Sequence, residues 1–209
     1  MYRIDIMDFF SRKKIRKKIE DVPEYIKLCS DLAREIYINA ITPQIAEYID
    51  KTIRMWNEID DAEGDQWNKR IPIKIYINSI GGDFNSMLMI MDSIKISRTP
   101  VYTINTGVAL KEAFYIFLAG HQRYAYPKSS FLYERDLKHL EDTEAQSDNY
   151  FSYYEKQLLI LKDLILDKTK ITENEYNKHL KNVWWINAEE AQKLKICNEV
   201  IFTYKALHY

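Results

Sequence analysis

Two glycine-bearing stretches hold the residue types and spacing from which chemistry could be built: "NSIGGD", residues 78–83, and "NTGVALKE", residues 105–112. Each follows an apolar, strand-like run and leads into a helical pattern, so both bring free backbone N–H groups to a strand end. Ligands of such folds sit at the carboxyl ends of strands, so both stretches should face the same crevice. The turn after the second strand is where many hydrolases present a nucleophile, and Lys111 stands there, followed by Glu112. Lysine is cationic near neutrality unless desolvated, and it replaces neither the attacking hydroxyl or thiol nor the base beside it. His121, His139, His179 and His208 show no metal-ligand spacing, and Cys29 and Cys197 form neither a metal pair nor a disulfide framework. No metal and no cofactor are expected, and the sparse cysteines suit a reducing compartment.

The elements that must position these residues follow from periodicity. "EIYINAI" reads as a strand, and Ile45, Ile49, Ile53 and Trp56 describe one face of the next helix. "IPIKIYINS" is a strand ending in Gly-Gly, and the helix after it packs Met87, Ile90, Met91 and Ile94 on one side. "VYTIN" is a third strand; Gly107 is expected to turn the chain, with a helix over 109–118. Strands alternating with helices imply parallel pairing, with helices on both faces of the sheet. "RYAYPKSSFLYE" resumes a strand, and Tyr154, Leu158, Leu161 and Ile165 form the stripe of a long amphipathic helix. Thr172 with Glu175, and Asn187 with Glu190, have capping-box spacing.

The succession "IYINSIGGDFNSMLMIMDSI", "VYTINTGVALKEAFYIFLAG", "PKSSFLYE" and "WWINAEEAQKLKICNEVI" resembles the ClpP family of serine peptidases over about residues 34–201. The resemblance implies an α/β ClpP/crotonase-like fold of crossover βα units with a protruding handle helix. It divides the chain into an N-terminal arm, 1–30, axial by analogy, and a single domain, 31–209, with 135–168 as handle region. It makes Gly81 and Gly82 the remnant of the oxyanion hole, with Ile80 where the family has proline. It puts Lys111 at the nucleophile position, Glu112 where methionine follows it, Glu134 at the base position, Val183 at the orienting aspartate and Asn182 at a ring-contact arginine. Serine, histidine and aspartate are therefore all replaced, a departure characteristic of the ClpR subunits of cyanobacteria and plastids. Ser79 and Ser129 match structural serines of the pattern, and a displaced serine nucleophile is not expected.

The implied function is that of a non-catalytic, ClpR-like pseudo-peptidase subunit of an ATP-dependent Clp protease. Such a subunit forms a heptameric ring, alone or with active ClpP subunits, and works with a Clp-family AAA+ unfoldase. The handle region lacks the family's glycines, and position 182 holds asparagine in place of the family's arginine, so a single heptamer, or a ring that needs a different partner ring, is expected in preference to a stable homotetradecamer. The alternative is a weakly active or altered hydrolase, ClpP-type or crotonase-like, using the retained glycines. Lys111 and Glu134 are expected to face each other as an ion pair.

Composition excludes other classes. The 209 residues carry a formal net charge of -1, with 46% hydrophobic and 29% charged residues, as in an ordinary globular protein. The basic run "SRKKIRKK" comes without aromatic platforms or a groove-reading motif, so no nucleic-acid partner is expected. No apolar run approaches the roughly 18 residues of a membrane span, and "MYRIDIMDFF" lacks a signal-peptide layout. The expectation is a soluble protein without membrane contact, in a plastid-type organelle, with the bacterial cytoplasm as the alternative.

Overall fold

The computed structural model describes residues 33–64, 66–134, 147–180 and 182–204. The basic arm, Cys29, His139, His208 and residues 135–146 of the handle region lie outside the described residues. Seven strands make one sheet: β1 (Glu35–Ile38), β2 (Ile73–Ser79), β3 (Val101–Leu110), β4 (Gln122–Ala125), β5 (Ser130–Tyr133), β6 (Trp184–Asn187) and β7 (Glu199–Val200). Between and after them lie α1 (Pro43–Glu63), α2 (Phe84–Ile96), α3 (Glu112–Ala119), α4 (Ser147–Lys168), α5 (Glu173–Lys178) and α6 (Ala188–Lys193).

β1-β2-β3-β4-β7 run parallel, as the crossover pattern predicts. β5 pairs in parallel with the far end of β3 and antiparallel with β6. Helix boundaries follow local chemistry. Thr42 accepts the Ile45 N–H ahead of Pro43 to start α1, and Gly64, at φ 72°, ends it in the left-handed region. Asp83 accepts the Ser86 N–H at 2.7 Å to start α2. Thr172 and Glu175 form the complete reciprocal box at α5; at α6, Asn187 caps the Glu190 N–H.

One continuous core joins Ile36, Ile38, Ile73, Ile75 and Ile77 of the sheet to Ile49 and Ile53 of α1, Ile90 and Ile94 of α2, and Phe114 and Phe117 of α3. Side chains of this size stabilise the fold by about 1.5–3 kcal/mol each when fully buried. Tyr154, Leu158, Leu161 and Ile165 of α4 join it as the stripe predicts. On the other sheet face a second, smaller cluster gathers Tyr76, Ile104, Tyr124 and Ile201, with Tyr102 and Tyr126 packed against it; among the described residues no helix contributes to it.

β3 also differs from expectation, because Gly107 does not end it. The strand continues to Leu110, changing partners from β4 at Tyr102–Asn105 to β5 at Val108–Leu110. α3 accordingly begins at Glu112, not at residue 109. The reason is local: Val108 N–H donates to Asn78 Oδ1 at 3.1 Å, and a Cβ on Gly107 would strike that same amide. Gly107 thus allows close approach of β2 to β3 and makes no turn.

Candidate functional site

The C-terminal ends of β2, β3 and β5 meet at one place. Lys111, between β3 and α3, has φ 52° and ψ -117°, an uncommon conformation for a residue with a side chain. Its N–H donates to Leu132 O at 3.1 Å, and its carbonyl accepts the Phe114 N–H at 3.0 Å, so neighbours on both sides fix the backbone. Strain held in this way is typical of positions that aim a side chain. The Lys111 side chain points at the end of β5, where its Nζ lies 3.3 Å from Glu134 Oε2. The expected juxtaposition of these two residues is therefore present as an ion pair. Their side chains are 36% and 29% exposed, so the pair faces water and is not sealed in the interior.

Val183 immediately precedes β6, whose Trp184 pairs with Tyr133, the residue before Glu134. It is half-exposed, and an isopropyl group there can orient nothing by hydrogen bonding. Asn182 lies one residue further out and is exposed. Of the paired tryptophans, Trp184 stacks on His179 with centroids 4.0 Å apart, while Trp185 is an exposed side chain on a sheet edge. His121 stands away from the site: its Nδ1 accepts the Val101 N–H at 2.9 Å, at the opposite end of β3.

The glycine turn after β2 is held by a set of polar contacts. Gly81 N–H donates to Ser79 Oγ at 3.3 Å, Gly82 N–H donates to Glu112 Oε2 at 2.9 Å, and Asp83 N–H donates to Ile41 O at 2.9 Å. Glu112 is only 7% exposed. Reading the sequence assigned this residue no role beyond its departure from methionine; its place next to Lys111 at a helix start was the available signal, because a carboxylate there complements the helix dipole. Ser79 and Ser129 are structural: Ser79 serves the Gly81 turn and Ser129 Oγ donates to Tyr126 O at 2.8 Å.

A second concavity lies on the tyrosine face, a cleft of about 430 Å³ lined by Glu35, Tyr37, Tyr76, Tyr126 and Tyr204 among others. Tyr37 and Tyr76 stack with centroids 5.0 Å apart and both donate to Glu35. Burial, then the Glu35 charge, push the Tyr37 hydroxyl up to about 12. Among the described residues no His, Cys, Asp and Glu group could hold a metal, and no helix is long and apolar enough to cross a membrane.

A solved structure, that of a point mutant of ClpP1 from Listeria monocytogenes, matches this chain with a TM-score of 0.68 at 21% identity, covering 87% of this chain and 99% of its own. The architecture is thus that of ClpP. The model of the Clp protease family matches residues 25–204, and the chain belongs to that family. Similar sequences include the ATP-dependent Clp protease proteolytic subunit 2 of Treponema denticola, 29% identical over 131 residues, 62% of this chain and 66% of the relative. The subunit 2 of Prochlorococcus marinus is 29% identical over 136 residues, with the same shares. The subunit 3 of Frankia casuarinae is 30% identical over 141 residues, 64% of each chain. The matched stretch spans just under two thirds of these relatives' own length.

Proposed function

We propose that the chain is a non-catalytic, ClpR-like subunit of an ATP-dependent Clp protease, contributing ring surface and chamber wall instead of peptide cleavage. The observation that carries this reading is the Lys111–Glu134 ion pair at the tips of β3 and β5. Acyl transfer by a ClpP-type site needs an attacking hydroxyl, a base in hydrogen-bond reach of it and a third group that holds the base. Here an ammonium faces a carboxylate, and valine stands just ahead of the adjoining strand. The ammonium has no lone pair to attack with while it is paired and protonated, and the carboxylate has no nucleophile to activate.

In this reading the chain forms a heptameric ring, by itself or shared with active ClpP subunits, and receives substrate from a Clp-family AAA+ unfoldase. The cyanobacterial relative is in keeping with a plastid-type organelle, and the bacterial relatives with a bacterial cytoplasm. Native mass spectrometry of the purified chain, alone and mixed with an active ClpP paralogue from the same cell, tests the assembly. Seven-subunit species, pure or mixed, are expected; a stable fourteen-subunit homo-oligomer or a monomer that ignores the paralogue overturns it.

A further inference from the structure

The glycine turn after β2 contains an occupied anion site. Gly82 N–H donates to Glu112 Oε2 at 2.9 Å, and a Cβ placed on Gly81 would collide with that same oxygen, so the carboxyl oxygen sits close against the Gly81–Gly82 turn. Glu112 reaches it from the first turn of α3, where the helix dipole favours negative charge, and its side chain is buried against the core. Gly81 N–H is meanwhile committed to Ser79 Oγ. An amide at the strand end is thus already occupied by a side-chain carboxyl oxygen.

We propose that the Gly81–Gly82 turn is a carboxylate-binding site whose ligand is the chain's own Glu112, shutting the oxyanion position independently of the residues at 111, 134 and 183. This rests on reading the crevice as a silenced ClpP-type site. The consequence is specific. Putting serine, histidine and aspartate back at 111, 134 and 183 supplies attack and proton transfer, but the oxyanion must still form beside a resident carboxylate. Loss of one oxyanion donor costs about 10²–10³ in kcat, and the like charge adds to that. Removing the carboxylate reopens the amide, and a small free carboxylate can then take its seat.

The test compares K111S/E134H/V183D with the same variant carrying Glu112→Met as well, using a fluorogenic peptide, and measures thermal unfolding of Glu112→Ala in formate against chloride at equal ionic strength. At least a hundredfold faster turnover with Glu112 replaced supports the proposal; equal turnover with Glu112 retained overturns it. If neither variant turns over, the formate arm decides. Formate-specific stabilisation of Glu112→Ala, absent in the unsubstituted chain, supports the site, and its absence overturns it. Cleavage by the unsubstituted chain would instead sink the silent-subunit reading, leaving the carboxylate site to the formate arm.

Discussion

The Lys111–Glu134 pair should close the site without adding much to stability, and a double-mutant cycle can measure this. At 3.3 Å two unit charges attract by about 1.3 kcal/mol in a water-like dielectric and by about 5 kcal/mol at an effective dielectric of 20. The exposures of 36% and 29% place the pair near the first limit, and holding two long side chains in one geometry opposes it. A net coupling of roughly 0.2–1 kcal/mol remains, with strong screening above physiological salt. Lys111→Met, Glu134→Gln and the double variant, unfolded in urea at low and high ionic strength, give the coupling directly. A value above about 2 kcal/mol that ignores salt would refute the claim that water reaches the pair, and would place it in a dry, low-dielectric plug.

Other consequences differ in kind. Arg34 and Asp60 form a two-pronged pair at 2.8 and 2.6 Å, 6% and 1% exposed, so Asp60→Ala strands a buried guanidinium over Trp56. It should cost about 3–5 kcal/mol, read as a fall in Tm of roughly 10 °C; a fall under about 2 °C contradicts the assignment. His121 is held below its ordinary value by burial and then by the Lys168 charge. The unfolded chain therefore binds the extra proton first, and stability is full above about pH 6.5 and declines as pH falls toward the lowered folded value. Urea titrations at stepped pH should show that slope, and His121→Asn should flatten it. Gly107→Ala drives a methyl group into the Asn78 amide and should cost about 1–3 kcal/mol by denaturant unfolding, whereas a neutral result would mean β2 and β3 do not approach so closely.

Much of the fold was legible in the sequence because local chemistry and burial agreed. The Thr172–Glu175 box and the Asn187 cap form where their spacing puts them, and the Ile-rich strands and the α4 stripe bury the residues that their periodicity selects. Lys111 and Glu134, separated by a helix and two strands, could be paired only through the family motifs, since periodicity says nothing about which strand ends meet. Two features escaped. Gly107 looked like a strand terminator because glycine usually punctuates, yet here it serves a close strand-to-strand approach. Glu112 looked like an incidental substitution because its partner, the Gly82 amide, is a backbone group and leaves no trace in residue types.

The central claim is that this chain does not cut peptides. The most direct measurement is fluorophosphonate labelling and peptide turnover of the purified, unsubstituted chain, alone and after mixing with active ClpP subunits whose own serine has been blocked. The account predicts no label on this chain and no turnover in either state. Stoichiometric label on any of its serines, with turnover proportional to its concentration, would contradict it.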